Sequence, residues 1–121
     1  VFFAGKNKIS GFLDFYFSCC DFLSYDLAIT INAWCFYKYK FKDDFFLSLI
    51  SGYQSVRKLE TAEVKNINIL LRGASLRFLF TRVSDYLIND EGKFLKKKDP
   101  LELFNILKFH IKVDVAKQYF D

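Results

Sequence analysis

The chain has 121 residues, enough for one domain or lobe with a continuous core and too few for two ordinary domains. Hydrophobic residues make up 52% and aromatic residues 20%, with 16 phenylalanines, which excludes a disordered chain and predicts a lobe folded around phenylalanine. The formal charge of +4 is modest, and the lysines outside Lys96-Lys97-Lys98 and the alternating Lys38, Lys40 and Lys42 are scattered as solvated positions, so no nucleic-acid partner is expected.

Methionine is absent and the chain opens on Val1-Phe2-Phe3, so a fragment of a longer product is expected. Cys19, Cys20 and Cys35 are odd in number, two are adjacent, and none has Cys-x-x-Cys or Cys/His ligand spacing, which fits reduced thiols in a cytoplasmic protein. Arg72, Arg77 and Arg82 interrupt the most hydrophobic segment, well short of the roughly 18 apolar residues of a membrane helix. No signal peptide or membrane partner is expected.

In chain order, Val1 to Ala4, Gly5 to Lys8 and Ile9 to Phe15 read as strand, polar turn and strand, with Gly5 and Asn7 supplying the turn conformations. From Ser24, a plausible cap, Tyr25, Leu27, Ala28, Ile31, Trp34 and Cys35 recur at helical spacing. Asp43 and Asp44 favour a second helix start, followed by Phe45, Leu49, Ile50 and Tyr53 on one face and an end near Val56. Thr61 with Glu63 begins a longer helix along Val64, Ile67, Leu71, Ala74, Phe78, Arg82 and Asp85, and Gly73 inside it predicts a close helix contact. Asn89 to Lys93 is a loop by composition. Asp99-Pro100 then restarts the chain with a capping carboxylate and a proline at the first helical position, and one last helix runs through Leu103, Leu107 and Phe109 towards Ala116. The expected class is α+β, mainly α: a short N-terminal hairpin followed by about four helices.

Chemistry concentrates in Ile9-Ser10-Gly11-Phe12-Leu13-Asp14-Phe15, an apolar strand ending in a carboxylate, followed by Ser24-Tyr25-Asp26-Leu27-Ala28. A carboxylate at a strand end beside a cleft is well placed for Mg²⁺, which prefers oxygen ligands together with nucleotide phosphates. On the strand alone the simpler reading of Asp14 is an exposed strand-end residue.

At these residues the chain resembles the superfamily of aminoglycoside phosphotransferases, choline kinases and homoserine kinases, whose fold is related to protein kinases. Its members carry a Gly-(Phe/Leu/Val)-(Ile/Leu)-Asp-(Phe/Trp/Leu) strand and then a Tyr-Asp-(Leu/Ile/Val)-Ala helix start, matched here by Gly11 to Phe15 and Tyr25 to Ala28. Within it, several strings look most like bacterial homoserine kinases: Asp14-Phe15-Tyr16-Phe17, Asn32-Ala33-Trp34-Cys35-Phe36, Gly52 to Arg57, Arg72 to Leu79, and Lys97 to Glu102. The resemblance implies that the chain, residues 1–121, is the C-terminal part of a kinase-like large lobe. It implies ATP and Mg²⁺ as cofactors, L-homoserine as substrate in threonine biosynthesis, Asp14 as catalytic metal ligand and Asp26 as support for the catalytic loop. The family's His-Gly-Asp-x-x-x-x-Asn loop and N-terminal lobe are expected before Val1, in a missing N-terminal half, so the fragment alone is expected to be inactive.

A substrate with a carboxylate needs a cation, and a forked guanidinium suits it best. Arg72, Arg77 and Arg82 step by five and cannot share a face, so at least one is expected to enter a cleft or pair with an acid. Arg77 and Arg72 are the candidates for substrate binding, with Tyr16 and Trp34 as walls of the pocket. Asp21, Ser18 and the two neighbouring cysteines occupy the loop after the metal strand without nucleophile spacing, and His110 reads as structural. The competing readings are a kinase of choline, an aminoglycoside or another small alcohol, and a non-catalytic helical module.

Overall fold

Phe2–Ala4 (β1) and Lys8–Gly11 (β2) form the N-terminal antiparallel hairpin of the computed structural model, which describes residues 1–6, 8–16, 18–88 and 98–120. Gly5 takes φ +68° in the turn, a conformation open to glycine without steric penalty; Asn7, Phe17, the 89–93 loop and Lys96 and Lys97 lie outside the described residues. Phe2 pairs with Gly11 and Phe3 with Ile9, so a bulge falls at Ser10. The second strand therefore ends at Gly11 rather than running to Phe15. Its three-residue partner has been used up, and Asp14, at φ +74°, cannot continue a ladder.

Leu23–Trp34 forms α1. Ser24 is not its cap, as the sequence suggested, but lies buried inside the first turn, where Phe22 precedes the helix without a side-chain cap. Leu27, Ala28 and Ile31 are buried, as is Cys35 just after the helix, whereas Trp34 turns outward. A second hairpin, which the sequence did not announce, joins Phe36–Tyr37 (β3) to Lys40–Phe41 (β4). Lys38 and Tyr39 at its tip have φ of +48° and +64°, as a two-residue turn with both central residues left-handed requires.

Asp43–Val56 (α2) begins with two acids in its first turn, where the macrodipole favours them, although neither caps it through a hydrogen bond. Phe46 and Ile50 are the buried positions, so the inward face is rotated from the expected Phe45, which is exposed. Arg57 beyond the helix bonds both the Tyr53 hydroxyl (3.1 Å) and Glu63 (2.9 Å). Glu63 also accepts from the Glu60 backbone N–H, completing a capping box that starts Thr61–Leu87 (α3).

With 27 residues, α3 spans about 40 Å and is the mast against which α1, α4 and α5 pack. Ile67, Leu71 and Ala74 are its buried stripe, as the spacing predicted. Gly73 is not a close-contact site: it is exposed, with open space where a Cβ would stand. The residue facing the neighbouring helix is Ala74, one step round the turn.

Pro100–Lys112 (α4) starts as predicted, with the Asp99 carboxylate accepting from the Leu101 N–H at 2.9 Å. The last helix is two helices. The chain turns at Val113 and Asp114 and resumes as Val115–Tyr119 (α5), with Asp114 accepting from the Ala116 and Lys117 N–H groups. From α3, the Asn68 side chain bonds both sides of the corner, donating to the Val113 carbonyl (3.4 Å) and accepting from the Val115 N–H (3.0 Å).

The centre of the core is aliphatic, built from Leu27, Ile31, Ile50, Ile67, Leu71 and Val115, and Phe46 is its one fully buried phenylalanine among the described residues. Aromatic rings form a second layer. Phe41 stacks on Phe109 at 4.8 Å, Phe46 meets Tyr119 at 4.8 Å, and Phe36 meets Phe109 edge-on at 5.4 Å. The expectation of a phenylalanine core holds for this cluster, but Phe2, Phe3, Phe12, Phe15, Phe22, Phe45, Phe80 and Phe104 are exposed.

Candidate functional site

Asp14 stands between the hairpin and α1, exposed and in a left-handed backbone conformation (φ +74°) that costs a non-glycine residue about 1 kcal/mol. The flanking residues are apolar yet open to solvent: Phe12, Leu13 and Phe15 are all more than half exposed, and Tyr16 is 93% exposed. Among the described residues no three His, Cys, Asp or Glu side chains gather into a metal cage. A lone accessible carboxylate is nonetheless a suitable donor for Mg²⁺, which keeps several waters and takes one or two protein carboxylates plus phosphates. Asp26 lies in the first turn of α1, exposed, where its charge complements the helix dipole.

Farther along α1 a cleft of about 720 Å³ opens between α1, α3 and α4. Ile29, Ala33, Phe78, Leu103 and Ile106 give it apolar walls, and Arg82, Lys98, Asp99 and Glu102 line it with charge. Arg82 is held in place: its Nη1 donates to Glu102 Oε2 at 2.6 Å and to the Asp99 carbonyl at 3.1 Å. Of the three arginines this is the one that both enters a cleft and pairs with an acid.

Asn32 supplies part of the lining and belongs to a buried polar network that fixes the three helices to one another. Its Nδ2 donates to the Leu71 carbonyl and to Ser75 Oγ, both at 2.9 Å, while Ser75 Oγ donates to the same carbonyl at 2.7 Å. With Nδ2 donating twice, Oδ1 must be the acceptor, so His110 Nε2, 2.8 Å away, carries the proton. His110 is fully buried and its Nδ1 has no partner among the described residues. Burial, and secondarily the nearby Arg72 charge, push its pKa down to about 4, so the ring is neutral near pH 7. Its structural reading agrees with this placement, and the link to Asn32 across 78 residues has no local sequence signal.

The other sequence candidates are dispersed. Arg72 Nε donates to the His110 carbonyl at 2.8 Å, strapping α3 to the end of α4, and the Arg77 guanidinium lies 5.1 Å from the ring centre of its neighbour Phe78. Neither lines the cleft. Trp34 is half exposed and meets Phe3 of the hairpin at 6.4 Å. All three cysteines are free thiols. Cys19 and Cys20 are exposed, whereas burial raises the Cys35 thiol to about 12 and leaves it inert. Among the described residues no helix is long and apolar enough to cross a membrane. The charged lining was partly legible, since Asp99-Pro100-Leu101-Glu102 carries a cap signature, but its meeting with Arg82 depends on tertiary packing.

Residues 1–59 match the family described as Phosphotransferase enzyme family. Over 120 residues, 98% of this chain, the sequence is 45% identical to a homoserine kinase of Brucella anthropi and 46% identical to one of Sinorhizobium fredii, in each case covering 36% of the relative. A homoserine kinase of Allorhizobium ampelinum is 48% identical over 122 residues, covering 98% of this chain and 37% of that protein. The chain thus spans little more than a third of the length of these relatives. The similarity to these homoserine kinases is sustained from the hairpin through α5, and the match to the phosphotransferase enzyme family model covers the hairpin, α1 and α2.

Proposed function

We propose that the protein containing this chain transfers the γ-phosphoryl group of ATP to the side-chain hydroxyl of L-homoserine, and that residues 1–121 are the C-terminal part of its large lobe. The observation that carries this reading is the 44–48% identity to homoserine kinases across 98% of the chain. In this reading Asp14 holds Mg²⁺, which when bound neutralises charge on the transferring phosphates. The left-handed backbone at Asp14 supports the assignment, because strained positions gather where a side chain must be aimed. Asp26, at the start of α1, stabilises the segment that leads into the helix. The donor of the base and the nucleotide-binding lysine belong to the rest of the protein, which works in the cytoplasm.

The test is ADP release by the full-length protein with ATP and Mg²⁺, offered L-homoserine, choline or an aminoglycoside. Homoserine alone is expected to drive turnover; comparable turnover with either of the others refutes the substrate. In the same assay Asp14→Asn is expected to lower Mg²⁺-dependent turnover by about 100-fold or more. Because Asp14 is exposed, its unfolding transition should not move by more than the ordinary scatter of surface variants. Full activity in this variant removes Asp14 from the metal site.

A further inference from the structure

We infer that the cleft between α1, α3 and α4 seats the acceptor amino acid, with Arg82 and Lys98 holding its carboxylate and Glu102 and Asp99 facing its ammonium group. This rests on the reading of the protein as a homoserine kinase and assigns the part of that site that recognises the substrate's zwitterionic end.

The lining balances two cations against two carboxylates, beside walls made by Ile29, Phe78 and Ile106. Such a surface matches a small zwitterion with a short hydrocarbon chain: a polyanion would meet Glu102 and Asp99, and a quaternary ammonium would meet Arg82 and Lys98. The volume, about 720 Å³, lies within the range of small-molecule sites and leaves room for bound water beside one amino acid.

Arg82 has the further property of being positioned before any ligand arrives. Its two bonds leave from Nη1, to Glu102 and to the Asp99 carbonyl, and its side chain is only 21% exposed. Among the described residues Nε and Nη2 have no hydrogen-bond partner, and that edge of the guanidinium is the one that takes a carboxylate with two parallel bonds. Little side-chain freedom remains to be lost on binding. Arg72 and Arg77, which the sequence alone offered for this task, stand outside the cleft, and Arg72 already spends its Nε on His110.

The floor is equally fixed. Both amide hydrogens of Asn32 and its Oδ1 are consumed by Leu71, Ser75 and His110, so Asn32 shapes the cleft without competing for the ligand. Recognition is left to the charged side.

The experiment uses the full-length protein with Arg82→Gln, Lys98→Gln and, as an exposed α3 control outside the cleft, Lys65→Gln. Steady-state kinetics are run with L-homoserine and with L-homoserinamide, which lacks the carboxylate charge, and thermal unfolding checks each variant's fold. Arg82→Gln is expected to raise KM for L-homoserine by about 10- to 100-fold with KM for ATP unchanged, as loss of a charge-assisted bond predicts. Lys98→Gln should show a smaller rise and Lys65→Gln none. With the amide, wild type and Arg82→Gln should be alike. If wild type phosphorylates homoserine while Arg82→Gln and Lys98→Gln keep its KM, the inference fails and the kinase reading stands. A KM rise of equal size for homoserine and the amide marks a structural effect and also overturns it. Absence of homoserine turnover by wild type overturns the functional reading and the inference together.

Discussion

Acid should loosen this fold at His110. His110 is fully buried, neutral, and bonded through Nε2–H to Asn32, while its Nδ1 faces no acceptor among the described residues. Its pKa falls from 6.5 to about 4 in the folded state, because burial disfavours the charged ring and Arg72 adds repulsion. The folded form therefore binds its proton later than the unfolded form does. The stabilisation is complete above pH 6.5, shrinks as pH falls below it, and is exhausted at about 4. Across the whole interval the linkage amounts to roughly 3 kcal/mol, and by pH 5 about 2 kcal/mol of it is gone. The assay is urea unfolding of the full-length protein between pH 5 and 7.5, compared with His110→Gln, whose amide can still donate to Asn32 but does not titrate. The wild-type midpoint should fall more steeply with acid than the variant's, and the difference between the two curves isolates this ring from the surface carboxylates. Parallel curves over that interval would refute the reasoning.

Two further substitutions test the packing. Asn32→Leu keeps the size of the side chain but leaves the His110 N–H without its acceptor, so a loss of about 3 kcal/mol is expected, read as a lower urea midpoint. Replacing Lys38-Tyr39 by Asn-Gly supplies residues suited to two left-handed positions, and should stabilise by about 1 kcal/mol, read as a rise in Tm of a few degrees.

What could be read from the sequence was the local part of the fold. The Asp99-Pro100 cap, the acids that open α2 and the Ile67-Leu71-Ala74 stripe of α3 each carry their cause within a few residues. The second hairpin was hidden because Lys38 and Tyr39 are poor turn formers, and their conformation is imposed by Phe36 and Phe41 packing on α4. The periodicity through Leu107 and Phe109 suggested one helix continuing towards Ala116. What settles the corner is Asn68, far away in sequence. The candidate site divides in the same way. Asp14 stands out because a charge follows an apolar strand, whereas Arg82, Lys98 and Glu102 become one lining only when α3 and α4 are laid side by side.

Asn68 places a carbonyl oxygen and an N–H donor at the spacing of a peptide unit, and the corner between α4 and α5 bonds to it much as one strand bonds to its neighbour. The joint involves no ionisable group, while the other buried joint on α3, through Ser75, Asn32 and His110, contains one. At points about two turns apart, the same helix is thus fastened by clasps of different chemistry. The clasp that shapes the cleft carries an imidazole, whereas the Asn68 amide that holds the α5 corner does not titrate.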